Sequence, residues 1–181
     1  MKSLHVIFLA GVCLLFAASC QYHWGRRVSP QVSRIFVDEV RNETLEEPLA
    51  RLLRSALTEQ VSAMPGMRLE TAAEQATCHL DATVKSIQKR SAGRAELRDA
   101  KARQKDSDAY QTVLYRVEVR VAFALHDKEG AELLSRDVVG TADAPRMHDL
   151  GLAYQAAYRQ ALDDAARQIV DAIVDAPLEE P

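Results

Sequence analysis

The sequence predicts an α+β fold, a two-layer sandwich of about four mainly antiparallel strands with two amphipathic helices on one face. Its longest strand candidate, Tyr110–Leu125, carries apolar side chains at every second position. Two helix candidates, which begin near Pro48 and Leu150, repeat apolar residues at a spacing of three and four. The order β-α-β-β-β-β-α lets both helices cover one face of the sheet.

The first strand and the first helix are separated by a polar turn. Residues 34–40 are β-branched and apolar and predict the strand, whereas Asn42 and Thr44 are typical of a turn. Pro48 fits the first turn of a helix, where its missing N–H leaves no hydrogen bond unmade. Pro65–Gly66 ends that helix because neither residue continues it well.

The middle strand alternates between two faces. Residues 78–88 place Cys78 on the apolar face, where we expect it to lie inward as a small apolar side chain. The alternation slips near Ile87, which predicts a β-bulge. After Tyr110–Leu125, Gly130 indicates a tight hairpin turn, and residues 131–141 return as the pairing strand.

The N-terminus has the pattern of a secretory signal. Lys2 precedes a short apolar run, Leu4–Phe16, and the small residues Ala17–Ser19 lead to Cys20. The run is shorter than the roughly 20 apolar residues that span a bilayer. The junction resembles the lipobox of bacterial lipoproteins, in which the cysteine is diacylated, the signal is removed and the new amine is acylated, commonly with palmitate.

This resemblance predicts lipidation at Cys20, because two or three acyl chains hold a protein stably in a membrane. In proteobacterial lipoproteins an Asp after that cysteine retains the protein in the inner membrane, so Gln21 indicates the outer membrane. The alternative is ordinary secretion that leaves Cys20 as a free thiol. In the tether that follows Cys20, Tyr22 and Trp24 lie either at the membrane interface or against the core.

The chain divides into a signal peptide (1–19), a lipidated tether (20–33), an α/β sandwich domain (34–176) and a polar tail (177–181). Once the signal is removed and Cys20 is acylated, Cys78 is the one cysteine left. An internal disulfide is therefore excluded, and stability must come from packing.

Charge is segregated along the chain. The 23 basic and 26 acidic residues make the whole chain mildly acidic, which argues against a nucleic-acid binder. Between Lys85 and Lys105, however, eight basic residues face two acidic ones. This basic segment is either a solvated hairpin whose lysines deter aggregation or a site for an anionic group such as a lipid phosphate. The candidate binding residues are Lys85, Lys89, Arg90 and Arg94.

No pattern indicates catalysis. None of His23, His79, His126 and His148 shares metal-ligand spacing with a cysteine or another histidine. Cys78 and His79 are neighbours on a strand and point to opposite faces, so they cannot pair locally. The sequence also lacks a glycine-rich phosphate loop and a serine nucleophile motif. We therefore expect a protein that is not an enzyme and has no metal or cofactor.

The mature chain resembles the lipopolysaccharide-assembly lipoprotein (LptE-like) family. The resemblance rests on Cys20–His23, the strand Ile35–Val37, the segment Asn42–Thr44 and the leucine-rich helix Leu49–Leu57. Two later strands and the last helix are similar in place and pattern. Members commonly read Cys-Gly-Tyr at the anchor, where this chain has Gln21 in place of Gly.

The resemblance implies a lipid-anchored protein on the periplasmic side of the outer membrane. Such a protein plugs an LptD-type β-barrel, assists its assembly and contacts lipopolysaccharide through basic residues, here Lys85, Lys89, Arg90 and Arg94. A similar Asn-x-Thr segment also occurs in outer-membrane lipoproteins that activate peptidoglycan synthases or form secretion pores. That alternative function needs no lipopolysaccharide.

Lipidation can be tested by replacing Cys20→Ser. We expect the variant to move from the membrane fraction to the soluble fraction, because it has no thiol to acylate. Mass spectrometry of the N-terminal peptide of the unmodified sequence should find acyl chains on Cys20. A bare thiol in soluble material would contradict the prediction.

Overall fold

The computed structural model describes residues 28–96, 110–145 and 149–177. Within these ranges the elements are β1 (Arg34–Val37), β2 (Arg41–Asn42), α1 (Leu49–Ala63), β3 (Arg68–Leu69), β4 (Cys78–Glu96), β5 (Tyr110–Asp127), β6 (Glu132–Pro145) and α2 (Leu150–Val174). Short 3₁₀ turns precede β1 and β4. The predicted α+β class with two helices is confirmed, and the described residues form six strands instead of about four.

All six strands belong to one mixed sheet. Its order is β3-β1-β4-β5-β6, and β2 pairs with β4 further along the same edge. The three long strands form an antiparallel meander, as expected, whereas β1 and β2 run parallel to β4 and β3 runs parallel to β1. The parallel pairing of β1 with β3 follows from α1, which supplies the crossover that parallel neighbours need.

One face of the sheet is apolar and packs against both helices. The side chains of β5 that the sequence pattern assigned to the inner face are fully or almost fully buried from Val117 onward: Val117, Val119, Val121, Phe123 and Leu125. Leu80, Ala82 and Val84 of β4 lie opposite the last three of these side chains in the register. Both helices contribute their apolar stripes to the same core. The two-layer arrangement therefore buries one face of the sheet and leaves the other open.

Helix α2 approaches β6 closely at Gly140. A side chain at this position would overlap the carbonyl oxygen of Ala161 and would lie 2.8 Å from the backbone nitrogen of Ala165. Next to this contact, Asp164 accepts a hydrogen bond from the backbone N–H of Thr141 (3.0 Å), and Gln168 donates to the carbonyl oxygen of Val139 (3.1 Å). The helix thus covers part of the edge strand that the sheet would otherwise expose.

The bulge lies slightly earlier than the sequence predicted. The register between β4 and β5 shifts between Val84 and Ser86, so Lys85 is the extra residue, two positions before Ile87, near which the sequence predicted the slip. Gly130 has a φ of 88° in the turn between β5 and β6, as the hairpin prediction requires. Cys78 is fully buried, as predicted, and burial raises the pKa of its thiol to about 12.

Several predictions concern residues outside the described ranges. These include the signal peptide (1–19), Cys20, the aromatic residues of the tether, and most of the tail (177–181). In the ranges 28–96, 110–145 and 149–177, neither helix combines the length and apolar character of a membrane span.

The close approach at Gly140 predicts the effect of Gly140→Ala. The added methyl group has backbone atoms of α2 in its way, so we expect a loss of about 1–3 kcal/mol in the free energy of unfolding. This loss corresponds to a fall of several degrees in Tm for a domain of this size. Thermal unfolding monitored by circular dichroism measures it. Thr141→Ala, at the exposed neighbouring position, is the control and should change Tm little; an equal Tm for both variants would contradict the packing argument.

Candidate functional site

The β4–β5 hairpin continues past the core. β4 has 19 residues and β5 has 18, yet among the side chains that the structure describes the fully buried ones end at Val84 in β4 and at Val117 in β5. Beyond them, Ile87 and Tyr115 are partly buried, and the strands remain paired to Glu96 and Tyr110. The hairpin thus projects from one end of the sandwich, which we call the hairpin end. It includes all the basic residues that the sequence singled out for binding.

Lys85 and Lys89 contact the loop between β2 and α1. Lys85 Nζ lies 2.6 Å from Glu43 Oε1, and Lys89 Nζ lies 3.2 Å from Glu46 Oε1. Both lysines remain more than a third exposed. Their charges are therefore partly neutralised, and a ligand would compete with a carboxylate at each of them.

Lys89 lies on the helix-facing side of the hairpin. Its register partner is Val117, a core residue, and its ammonium group lies over two rings of α2, 4.8 Å from the centroid of Tyr154 and 5.3 Å from that of Tyr158. Tyr158 also donates a hydrogen bond to Glu46 Oε1 at 3.1 Å. The hydrogen bonds that Lys89 makes with Tyr158 and Glu46 outweigh its desolvation and raise the pKa of Lys89. This cluster joins the hairpin to the loop and to α2.

Arg90 lies on the opposite, open face. Its register partner is Arg116, and its guanidinium contacts Gln88 Oε1 at 2.5 Å and Glu118 Oε2 at 3.5 Å. The side chain is 62% exposed, the most accessible of the three candidate cations whose side chains are described. Arg94 pairs with Thr112 near the end of β4, and its side chain lies outside the described part of the structure. The hairpin therefore presents positive charge on both of its faces.

The open face carries rows of paired charges. Arg116 binds Asp143 on β6 through two hydrogen bonds of 2.9 and 3.1 Å, and this contact lowers the pKa of Asp143. Arg120 lies 3.8 Å from Asp137, a diagonal neighbour on β6 nearer the turn between β5 and β6. Arg116 and Arg120 alternate along β5 with the buried Val117, Val119 and Val121, so they lie on the outer face. Strand pairing, which the sequence did not reveal, brings their partners beside them.

Two histidines end the open face near the turn between β5 and β6. His79 and His126 are register partners, and each lies near a carboxylate: His79 Nδ1 is 3.4 Å from Asp38 and His126 Nε2 is 3.5 Å from Asp81. Among the described residues, no group of three or more potential ligands is arranged to hold a metal ion. His79 lies beside Cys78 in the strand, but that thiol is buried on the inner face.

Sequence reasoning missed the residues that orient the cations. Glu43 and Glu46 lie 42 and 43 positions before the lysines they contact, and Tyr158 lies 112 positions after Glu46. No local pattern connects residues so far apart. The one signal available was the position of Glu43 inside the Asn42–Thr44 segment, which the family resemblance had already singled out.

Comparison with known proteins connects this arrangement to a family. The family model named LptE, described as lipopolysaccharide-assembly, matches residues 32–176. The match spans the whole sandwich domain, from the 3₁₀ turn before β1 to the end of α2. A comparison with curated proteins finds no match.

Solved structures resemble this chain at low sequence identity, and the first of those below shares its fold. A protein from Xanthomonas campestris is 14% identical, with a TM-score of 0.55 over 80% of this chain and 86% of that chain. A minor lipoprotein from Acinetobacter baumannii is 15% identical, with a TM-score of 0.45 over 83% of this chain and 98% of that chain. Lipoprotein B from Nitrosomonas europaea is 19% identical, with a TM-score of 0.45 over 82% and 86% of the two chains.

The cluster around Lys89 predicts a measurable contribution to stability. Lys89→Ala removes an ion pair and two cation–π contacts, each worth about 0.5–1 kcal/mol at a partly exposed site. Because one ammonium group makes all three contacts, they do not add in full, and we expect the free energy of unfolding to fall by about 1 kcal/mol in urea denaturation. Lys128→Ala, at an exposed lysine in the turn between β5 and β6, is the control and should leave it within a few tenths. Equal values for the two variants would show that the cluster does not stabilise the fold.

Proposed function

This chain belongs to the LptE family of lipopolysaccharide-assembly lipoproteins, and we propose that it acts as the plug and assembly partner of an LptD-type β-barrel in the outer membrane. The family is not an enzyme family. In this proposal the protein stands on the periplasmic side of the outer membrane, held there by acyl chains on Cys20. Its contribution to lipopolysaccharide transport is binding and positioning.

The observation that carries the proposal is the hairpin with cations on both faces. Lipopolysaccharide carries phosphate groups, for which Arg offers paired N–H donors and Lys a compact charge. A hairpin that leaves the core can enter a lumen or contact a ligand without disturbing the sandwich behind it. Lys89 serves the helix-facing side and Arg90 serves the open side, while Lys85 lies at the bulge beside Glu43.

We expect the four proposed lipopolysaccharide-binding residues to differ in how readily they bind a phosphate group. Arg90 is mostly exposed, its one ion pair is long at 3.5 Å, and its hydrogen bond to Gln88 is with a neutral amide, so a phosphate meets less competition there than from a carboxylate at close range. Lys85 and Lys89 must exchange Glu43 and Glu46 for the ligand. Arg94 lies nearest the tip of the paired region. Binding should therefore depend first on Arg90, with the lysines adding affinity once their carboxylates are displaced.

Charge reversal at Arg90 tests the binding site. Arg90→Glu should weaken lipopolysaccharide binding at moderate salt by about tenfold, because a charge-assisted hydrogen bond is worth about 1.5–3 kcal/mol and 1.4 kcal/mol is tenfold in Kd. The combined reversal of Lys85, Lys89, Arg90 and Arg94 should weaken it further. Arg167→Glu is a matched control, since Arg167 is also 62% exposed and also has one long ion pair, 3.9 Å from Asp164. Equal Kd values for Arg90→Glu and Arg167→Glu would remove Arg90 from the site, and an unchanged Kd in the combined variant would remove the other three residues.

Purification of the tagged, full-length lipoprotein from its own membranes tests the partner. A co-purifying large β-barrel is the expected result. Recovery of a peptidoglycan synthase, or of a ring made of this chain alone, would instead support the alternative function and overturn the proposal.

A further inference from the structure

Two donors at the hairpin end meet at a single carboxylate oxygen. Lys89 Nζ, on β4, lies 3.2 Å from Glu46 Oε1, and the hydroxyl of Tyr158, on α2, donates to the same oxygen at 3.1 Å. A cationic donor and a hydroxyl that converge on one negative oxygen are the groups that hold a phosphate or carboxylate oxygen in a binding site. The position of Glu46 Oε1 therefore marks a place where this fold binds an anionic oxygen.

The two donors are held by contacts that do not involve Glu46. The Lys89 ammonium group lies over the rings of Tyr154 and Tyr158, at 4.8 and 5.3 Å from their centroids. Tyr154 stacks on Tyr158 with the ring centroids 6.3 Å apart, and it meets Tyr115 of β5 edge-on at 5.8 Å. Both donors therefore stay in place when the carboxylate leaves, and an incoming anion finds them already oriented.

The carboxylate is accessible, whereas the Tyr158 hydroxyl needs a partner. The side chains of Glu46 and Lys89 are 40% and 37% exposed, and an ion pair at such a site is weak enough for a ligand to replace. Tyr158 is only 4% exposed, and burial raises the pKa of its hydroxyl, which keeps the proton it donates. A hydroxyl in a buried residue costs free energy when it is left without an acceptor. The group that replaces Glu46 must therefore carry negative charge and accept a hydrogen bond.

The neighbouring pair of Lys85 and Glu43 lacks a second donor. Lys85 Nζ lies 2.6 Å from Glu43 Oε1, and the two side chains are 41% and 55% exposed. Within residues 28–96, 110–145 and 149–177, no other group donates to that oxygen. Lys85 thus belongs to a surface ion pair, whereas Lys89 belongs to a site with two donors.

We propose that Lys89 and Tyr158 form a phosphate-binding site that Glu46 occupies in the free protein, and that a ligand phosphate takes the place of the Glu46 carboxylate. This inference rests on the proposed function. It adds Tyr158 to the binding residues and makes Glu46 an internal competitor, which weakens the apparent affinity because only molecules with an open site can bind. The phosphate is either part of the lipid or a free ion, since the two donors recognise the same oxygen in both.

The first test removes the charge of the competitor in the full-length, lipidated protein purified in detergent. Isothermal titration calorimetry measures the Kd of lipid A, the phosphorylated part of lipopolysaccharide. Glu46→Gln should lower this Kd about threefold, because an amide competes less well than a carboxylate for an ammonium group. The backbone carbonyl of Glu46 that binds Asn42 remains. Glu129→Gln, in the turn between β5 and β6, removes the same charge at the other end of β5 and should leave the Kd unchanged.

The second test removes the hydroxyl of Tyr158 and keeps its ring. Tyr158→Phe should raise the Kd of lipid A about fivefold, because a hydrogen bond to a charged group is lost. Tyr154→Phe is the matched control: its ring also lies under Lys89, and its hydroxyl makes no hydrogen bond within the described residues, so the Kd should not change. Circular dichroism checks that each variant is folded, and the gain expected for Glu46→Gln cannot come from a folding defect.

The outcomes separate the site from the proposed function. Equal Kd values for Glu46→Gln and Glu129→Gln, or for Tyr158→Phe and Tyr154→Phe, overturn the site, while the function stands if Arg90→Glu still weakens binding. An unmodified protein that binds neither lipid A nor inorganic phosphate overturns both. Lipid A without its phosphate groups should show neither effect, and the same Kd ratios with that lipid would also overturn the site.

Inorganic phosphate, titrated against the same variants, identifies the source of the anion. The same Kd ratios with phosphate as with lipid A support recognition of the phosphate group itself. Ratios that appear only with lipid A support a lipid-borne phosphate. Ratios that appear only with inorganic phosphate support the site and overturn its role in the proposed function.

Discussion

The packing of both helices on the same face of one sheet determines what the rest of the molecule exposes. The sheet has a single apolar face, and α2 reaches it closely because Gly140 has no side chain and Ala161 and Ala165 have small ones. The helices cover only the apolar face, so the opposite face is open to solvent. That open face carries charges that pair across the strands. In the described part of the hairpin, α2 reaches Tyr115 and Lys89 on one face, while Arg90 on the other face has no helix over it. The exposure of Arg90 is therefore a consequence of a sheet that is covered on one face.

Periodicity predicted the parts of this fold in which one face is buried along its whole length. The alternation of β5 identified Val117–Leu125 as its inner face, and the helical spacing of α2 identified the residues that pack on it. Elements of two residues have no such periodicity. β3 pairs with β1 because α1 returns the chain parallel to it, and β2 pairs with β4 because the chain after β1 continues along the same strand, so both pairings depend on the tertiary fold and could not be predicted from local sequence.

The sequence predicted which basic residues the candidate site contains, but not which face each of them lies on or which residues they contact. Charge counting along the sequence finds the basic segment, but a strand divides neighbouring residues between two faces. Lys89 and Arg90 are adjacent in sequence, yet one contacts tyrosines of α2 and the other contacts Glu118 on the open face. The bulge at Lys85 shifts this division by one residue. The carboxylates that partly neutralise the lysines come from a loop more than forty positions earlier.

Glu46 connects the hairpin to the loop between β2 and α1. Its carboxylate binds Lys89 on the hairpin and accepts a hydrogen bond from Tyr158, while its backbone carbonyl accepts one from Asn42 at the start of that loop. An anion that displaced Glu46 from Lys89 would remove one of the contacts that order this loop. Any such effect is reciprocal in free energy, so a partner that fixed the loop would in turn change the affinity of Lys89 for the anion. Arg90 contacts Gln88 and Glu118 and not the loop, so its binding would be independent of the conformation of the loop.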